Sequence, residues 1–530
     1  MRILGLKPGH DGHIAHLIDG VLDFSIEAEK DSGYRYAQVD GLGLADALAR
    51  LTAPPDVFAV SGWASGIEPT GRPIGAGYMG ISGNEQGSSQ MNGSPMRYFS
   101  SSHERSHILC SYALSPFPQG TPCYALTWEG HIGAFYEIDR GVKVRRLAHI
   151  MYGPGIRYAY AYAICDPTFN LPRGHIRLSD AGKLMALAAF EENPTATSEE
   201  QDLLARLMAN PHETPKFDKT DFRAFSAYNS GVESVPSKRL ARLVSNRLLA
   251  HFIGGMSRLV EDKRPLLISG GCGLNCDWNR ALLDSGLFSD VFVPPCTNDT
   301  GSAIGTAVDA QLELTGHAKL EWNVYSGSHF IDDMALASIR QAGPFARVAG
   351  NTATAARLLQ AGAILAWVSG RTEIGPRALG NRSLLAEPYR RETLQRLNAI
   401  KQREPYRPIA PLCLEEDLAL HFDLPKASPH MLYFARVRNN QLKAVTHVDG
   451  SSRVQTVNPE QNGLMYKLLR AFKEISGAGV LCNTSLNFSG KGFINRASDL
   501  VTYADTTELD GFAVEGALFL RSPAKYTGCL

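Results

Sequence analysis

The 530-residue chain has no excess charge of either sign: 53 lysines and arginines meet 53 aspartates and glutamates. So even a balance argues against a dedicated nucleic-acid binder and leaves room only for a local patch. It also lacks any C-x-x-C pair. Nine cysteines are scattered, and the nearest approach to one is Cys272 with Cys276. Cysteines spread so thinly read as reduced, mostly buried thiols of a cytosol rather than a disulfide framework. No apolar run is long enough to cross a bilayer. The opening MRILGLKPGHDGH is far too short in hydrophobic residues for a signal peptide. A soluble, cytoplasmic protein with no membrane contact is the expectation. Composition is otherwise ordinary, 44% hydrophobic and 20% charged, and the length asks for two or three domains.

What the chain does contain is α/β patterning. Arg2 to Leu6 reads as a strand, followed by the loop KPGHDGH, a second strand from Ile14 to Asp19, a turn at Gly20 and a third run, VLDFSIEAE. GLGLADALARL has the spacing of an amphipathic helix and DVFAVSG that of a buried strand. Further on, LTWEGHIGAFYEIDRGV echoes LKPGHDGHIAHLIDGV in its strand, G-H-I loop, second strand and Gly-Val turn. The echo is either chance or an internal duplication. A duplication would mean two related halves whose hairpin loops face a shared, nucleotide-holding cleft. ISGGCGLNCDWNRALL and VFVPPCTNDTGSAIGTAVDAQLEL each read as strand, polar turn and helix. Tyr325 to Gly350 lacks periodicity and reads as a connection, which places a domain boundary near residue 350.

Beyond it lies EIGPRALGNRS, Glu373 to Ser383. Nine basic residues fall between Arg371 and Pro411, against the acids Glu373, Glu387, Glu392 and Glu404. Arginine forks match phosphate oxygens in pairs, and glycines let the backbone approach an anion. YRRETLQRLNAIKQRE reads as a helix, whose surface accounts for Arg390, Arg391 and Arg396. Arg377, Arg382 and Arg407 sit beside Gly or Pro, with Lys401 near the helix end. These four are the candidates to hold a phosphate.

SSHERSHILCSY places His103 and His107 four apart, on one face of a helix, as a divalent metal requires. HERSH also fits the H-E-x-x-H pattern of zinc proteases, with Glu104 as the would-be base, but a third ligand on a downstream helix is missing. Glu129 and Asp299 fall at apparent strand ends and would complete two imidazoles with two carboxylates, a set suited to zinc, iron or manganese. The plainer alternatives are two polar-face histidines and an Asp299 that caps a helix. His10, in the first loop with Asp11 and His13, is either a general base or a hydrogen-bonded loop residue.

Taken together, GHDGHIA, SSHERSHI, DAGKLMALAAF, SGGCGLNC, CTNDTGSAIG, GRTEIGPRALGNRS, KQREPYRPIAP, RVQTV and NTSLN resemble the O-carbamoyltransferase family of nodulation-factor, tobramycin and cephalosporin carbamoyltransferases. The likeness spans nearly the whole chain, and LKPGHDG and WEG look closest to the cephalosporin-type subgroup. The resemblance implies an α/β protein of two domains. Residues 1–350 would form a duplicated actin/sugar-kinase-like domain of the tRNA threonylcarbamoyl-transferase type, and residues 351–530 a YrdC-like α/β domain. The second would make carbamoyl-adenylate from carbamoyl phosphate and ATP, and the first would pass the carbamoyl group to a hydroxyl and release AMP. It also implies roles by position. Arg377, Lys401, Arg407, Arg453 and Asn483 would handle the phosphates, with magnesium on the triphosphate. Gly182, Lys183, Gly270, Gly271 and Asn275 would bind the adenylate, and His10 would take the acceptor's proton. His103, His107, Asp299 and Glu129 would hold a transition metal, iron first, with zinc and manganese as alternatives. The family's usual aspartate is Glu129 here, one methylene longer. The common EEER run is replaced by IEAEKDSGYRY, so the acceptor is expected to be a small secondary-metabolite alcohol. A homodimer is the family habit. The rivals are an RNA-modifying carbamoyl or threonylcarbamoyl transferase and a non-catalytic nucleotide-binding protein. A hydrogenase-maturation carbamoyltransferase should bring C-x-x-C zinc motifs, which are absent.

Overall fold

Alternating apolar residues around the loop KPGHDGH and the Asp19–Gly20 turn produce the expected meander in the computed structural model, which describes residues 1–65, 71–91, 93–331 and 344–530. Strands β1 (Arg2–Lys7), β2 (His13–Ile18) and β3 (Val21–Glu27) pair antiparallel. β4 (Val57–Ser61) then lies parallel to β1, after a helix α1 (Gly41–Ala49) capped by Asp40. A short pair, β5 (Trp63–Ala64) and β6 (Pro73–Ile74), stands apart. β7 (Asn84–Met91) and β8 (Ser94–Ser101) finish the first sheet, in the order β3-β2-β1-β4-β8-β7.

The second sheet repeats the plan. β9 (Cys123–Trp128), β10 (Gly133–Ile138) and β11 (Val144–His149) form another antiparallel meander. β12 (Leu266–Ser269) and β13 (Val291–Phe292) follow in parallel beyond β9, giving β11-β10-β9-β12-β13. In both sheets a meander lies on one side of the first strand and two parallel strands on the other, to which the first sheet adds β7, antiparallel, at its edge. The G-H-I echo therefore falls on equivalent strand pairs of the two sheets, β1–β2 and β9–β10.

Two helices tie the halves together. α2 (His103–Leu114) follows the first sheet but packs on β9 and β12 of the second. Four helices, α3 (Pro154–Cys165), α4 (Asp180–Ala188), α5 (Ser198–Met208) and α6 (Val235–Ser257), cover the second sheet before α7 (Cys276–Asp284). α8 (Ser302–Thr315) follows the second sheet but packs on β1 and β4 of the first. α2 and α8 meet so closely that a Cβ on Gly305 would lie 1.8 Å from the Ser106 carbonyl oxygen. Both lie in one apolar core with Ile108, Tyr112, Ala303 and Ile304.

The third sheet is mixed and draws all its strands from residues 346–520. These are β14 (Ala346–Val348), β15 (Leu365–Val368), β16 (Arg382–Ala386), β17 (Ala410–Leu414), β20 (Gln455–Val457), β21 (Val480–Ser485), β22 (Gly511–Val514) and β23 (Ala517–Leu520). β18 (Phe434–Arg436) and β19 (Ser451–Arg453) form a separate ribbon. The order is β14-β23-β22-β15-β16-β21-β17-β20. Much of the expected Tyr325–Gly350 connection, residues 332–343, lies outside the described residues. All nine cysteines are free, and among the described residues no helix is long and apolar enough to cross a membrane.

The arginine loop between β15 and β16 docks on the first two sheets. Gly375 has φ +83°, and a Cβ there would lie 2.1 Å from the Pro295 oxygen, so only glycine fits. Its N–H donates to Glu27 Oε1 at 2.5 Å, while Lys30 Nζ donates to the Glu373 and Gly375 carbonyls at 3.0 and 2.7 Å. The close α2–α8 crossing gives a first test. Gly305→Ala should lower unfolding free energy by about 1–3 kcal/mol or more, the cost of overpacking, read from denaturant titration; wild-type stability would mean the two helices are not so tightly apposed.

Candidate active site

Ser102 caps α2 by accepting the Arg105 N–H at 3.1 Å, which starts the helix where His103 and His107 share one inward face. Glu129 sits just past β9, and Asp299 opens the turn that leads into α8. The N-cap of α8 is Gly301, with no side-chain cap bond, so Asp299 is not consumed by capping. All four side chains are buried. His107 Nε2 is 3.1 Å from His103 Nε2. Glu129 Oε2 lies 3.3 and 3.6 Å from the His103 and His107 Nε2 atoms, and Asp299 Oδ1 lies 3.6 and 3.3 Å from them. A tetrahedron with such edges has its centre roughly 2 Å from each corner, the length of a zinc–nitrogen or zinc–oxygen bond. The donor set and its spacing thus fit a divalent transition metal, and the longer Glu129 reaches the cluster as readily as Asp299.

Glu104, by contrast, faces away. Its Oε1 accepts from Tyr136 Oη at 2.6 Å and from Arg146 Nε at 3.1 Å, and its Oε2 from the Gly80 N–H at 2.7 Å. It is fully buried and has no route to a metal-bound substrate, so HERSH is not a protease motif here.

His10 stands at the cluster's edge, its side chain 42% exposed. Nδ1 is 3.2 Å from Asp11 Oδ2 and Nε2 is 3.7 Å from Asp299 Oδ2. Trp63 packs edge-on against both His10 and His103. Three residues around the donors escaped sequence reasoning: Trp63, Tyr78 and Lys7. Tyr78 donates to Glu129 Oε1 at 2.6 Å, and Lys7 Nζ is 3.2 Å from Asp299 Oδ2. The available signal was a lysine inside the apolar strand RILGLK, which has no solvent to reach.

A second cluster is cationic. Arg377, Lys401, Arg403, Arg407 and Arg453 converge where the arginine loop, the end of the Arg391–Ile400 helix and β19 meet, with Arg35 of the first domain's loop nearby. Burial, then Arg453, Arg35 and Arg407, pushes the Arg377 guanidinium down to about 9. Burial, then Arg407 and Arg453, does the same to Arg403. Lys401 is driven well below its ordinary range by burial and by Arg403, Arg35 and Arg407. The nearest acid is Glu404, which is shared between Lys183 at 3.2 Å and Arg407 at 3.5 Å. Cations buried together in this way are arranged for an anionic ligand.

Not every expected residue joins. Arg382, grouped by sequence with the phosphate candidates, is fully buried and spends its guanidinium on Asn495 Oδ1 and the carbonyls of Ser369, Gly370 and Asn381, at 2.7–3.0 Å. It braces the loop and has no N–H left for a ligand. Lys401 Nζ donates to the Ser485 and Asn487 carbonyls at 2.6 and 3.1 Å, and Asn483 Nδ2 to the Ala378 carbonyl at 3.0 Å and Gln455 Oε1 at 2.8 Å. Arg390 and Arg396 pair with Glu387 and Asp510 at the surface, as expected for a solvated helix.

The two clusters share one turn. Gly270, φ +89°, packs so near β9 that a Cβ would lie 2.3 Å from the Trp128 oxygen and 3.0 Å from Glu129 Cβ. Four residues on, the Leu274 carbonyl accepts from Arg377 Nη2 at 3.0 Å, and Asn275 Oδ1 caps α7. A Cβ on Gly271 would meet open space.

Comparison with known proteins assigns the chain. Residues 94–308 match the carbamoyltransferase N-terminus and residues 356–521 the carbamoyltransferase C-terminus. The chain belongs to the carbamoyltransferase family. It is an O-carbamoyltransferase, as two relatives that it matches over nearly its full length are by name. It is 46% identical to a 3'-hydroxymethylcephem-O-carbamoyltransferase of Amycolatopsis lactamdurans over 98% of this chain and 100% of that protein. It is 45% identical to the enzyme of the same name from Streptomyces clavuligerus, over 98% and 99%. Nodulation protein U of Rhizobium tropici is 32% identical over 98% and 96%. A ROK family glucokinase from Streptomyces griseus aligns with 58% of this carbamoyltransferase and 98% of its own chain, at 12% identity and a TM-score of 0.28. At that score the overlay adds nothing to the mixed α/β strand order.

Two predictions follow from the geometry. Arg382→Ala should cost about 3 kcal/mol or more, because it strands several buried acceptors, whereas Arg377→Ala, relieving like charges, should leave stability unchanged or raised; denaturant titration of both decides, and equal losses would contradict the assignment. Glu27, wholly buried at the loop joint, has its carboxyl pushed up from 4.5 to about 7 by burial, against the opposing charge of Lys30. An acid raised on folding stabilises the folded state at low pH, and that contribution is lost as pH rises from 4.5 through about 7. Glu27→Gln should flatten stability against pH across that window, and an unchanged profile would rule Glu27 out as the titrating group.

Proposed function

We propose that this carbamoyltransferase activates carbamoyl phosphate with ATP and transfers the carbamoyl group to a hydroxyl of a small secondary metabolite. Residues 351–530, with a YrdC-like role, would form carbamoyl-adenylate. One water and carbamoyl phosphate yield phosphate and carbamate, whose oxygen attacks the ATP α-phosphate and expels pyrophosphate. The observation that carries this reading is the convergence of Arg377, Lys401, Arg453 and the partly exposed Arg407, with Glu404 shared between Arg407 and Lys183. Two polyanions repel each other, and cations fixed in a low-dielectric setting hold them together and take up the charge that spreads over the transferring phosphoryl group. Magnesium would accompany the triphosphate. Gly270, Gly271, Asn275 and Lys183 would hold the adenylate; supporting this, the turn from Gly270 to Asn275 touches both Glu129 and Arg377.

Residues 1–350 would carry out transfer. The acceptor oxygen bonds to the carbamoyl carbon, the bond from that carbon to the AMP oxygen breaks, and AMP leaves. His10 Nε2 accepts the hydroxyl proton, with its ring oriented by Asp11 at 3.2 Å. A divalent metal on His103, His107, Glu129 and Asp299, iron first, would supply Lewis-acid stabilisation of developing negative charge. The cephem relatives, whose names specify a hydroxymethyl acceptor, support a small alcohol over RNA, as does the balanced charge. The free, largely buried cysteines suit a cytoplasmic setting.

Purified protein given ATP, magnesium and carbamoyl phosphate without acceptor should release pyrophosphate only when carbamoyl phosphate is present. Arg377→Ala should lose that release by at least about 100-fold, as removal of a charge-stabilising donor does. His103→Ala should keep it and lose transfer to a hydroxymethylcephem. If both variants lose the same half-reaction, the division into two sites is wrong.

A further inference from the structure

The two carboxylates of the metal-donor cluster are each held by one oxygen only. Glu129 turns Oε2 toward His103 and His107, and its Oε1 accepts from the Tyr78 hydroxyl at 2.6 Å. Asp299 turns Oδ1 toward the same histidines, and its Oδ2 is ion-paired with Lys7 at 3.2 Å. Both outer partners are fixed. Tyr78 is 7% exposed and its loop is stapled to α2: the Gly77 and Tyr78 carbonyls accept from the His103 and Glu104 N–H groups at 3.1 and 3.0 Å. Its ring lies 4.6 Å from that of His103. Lys7 is fully buried at the end of β1, its ammonium 3.6 Å from the Trp63 ring centroid and donating to the His10 carbonyl.

Resting on the metal reading above, we infer that Tyr78 and Lys7 are positioning residues that keep Glu129 and Asp299 as single-oxygen ligands, so that the metal has four protein donors and can still expand to take a substrate oxygen. The count explains why this matters. Two imidazoles with two chelating carboxylates present six donor atoms and fill an octahedral shell, whereas single-oxygen carboxylates present four. A four-coordinate ion can expand to admit a substrate oxygen, whereas a filled octahedron cannot. Glu129 makes the restraint necessary, because its longer, freer side chain can swing both oxygens inward. Tyr78 removes that freedom by occupying Oε1. The outer hydrogen bond also orients the ligand, and the loss of such partners typically weakens metal binding.

The test uses the full-length protein, stripped of metal and reloaded with cobalt(II), whose visible bands weaken as coordination number rises. Wild type should bind one cobalt with intense bands. Tyr78→Phe and Lys7→Met should bind about 10–100-fold more weakly, with bleached bands. Unchanged affinity and bands in both variants overturn the inference. Should a variant fail to fold, zinc-edge X-ray absorption of the zinc-loaded wild type decides: carboxylates bound through one oxygen support it, and the short metal–carbon path of a chelating carboxylate overturns it. A wild type that takes up none of cobalt, zinc, iron or manganese overturns the metal reading itself, whereas uptake with chelating carboxylates overturns only the role of Tyr78 and Lys7.

Discussion

Repulsion among buried cations is the constraint around which the carboxy-terminal region is arranged. Arg377, Arg403, Lys401 and Arg453 each depress the charged state of at least one other member or are depressed by the shared neighbour Arg407. Such a group is unfavourable unless the backbone holds it in place until an anion arrives. Carbonyl oxygens do much of that work: Ser485 and Asn487 for Lys401, Pro408 for Arg403 and Leu274 for Arg377. Carbonyls carry partial charge, so they steady a cation without neutralising it. A carboxylate in their place would tie up the charge that the proposed reaction assigns to phosphate.

The same constraint explains the docking of the third sheet. Arg377 is braced by a carbonyl that belongs to the second sheet's turn, and its loop is fixed by Gly375 against Pro295, by Glu27 and by Lys30. The cationic cluster is thus assembled from both parts of the chain and is incomplete in either alone. Pro295 and Cys296 lead directly into Asp299, so the loop that carries Arg377 rests on the segment that carries a metal donor. Binding at one cluster can then be felt at the other through a few backbone contacts.

Much of this was legible in the chain. Alternation around KPGHDGH marks the meander, and its echo at LTWEGHIG, which left chance and duplication open, falls on the equivalent strands of the second sheet. Histidines four apart on a capped helix, with two acids at strand ends, pointed to the donor cluster because local geometry decides it. Arg377 and Arg382 were indistinguishable, since both flank glycine or proline in one loop. What separates them is Asn495, more than a hundred residues away, and a ring of carbonyls. Tyr78 was silent, because a tyrosine in a glycine-rich loop acquires meaning only from what it touches, and Lys7 offered only the faint signal of a lysine closing an apolar strand.

The turn from Gly270 to Asn275 is where the two chemistries of the proposed reaction meet. Glycine at 270 lets it press against the strand that ends in Glu129, and its far end touches Arg377. Six residues of chain reach at most about 20 Å, so an adenylate formed beside the arginines, as proposed, would have only the length of this turn to travel. Carbamoyl-adenylate is a mixed anhydride that water destroys, and a short path is worth more to it than a strong binding site at either end. A tight hold would slow the handover. Gly271, where a Cβ would meet open space, leaves the turn without a side chain that could trap a transient passenger.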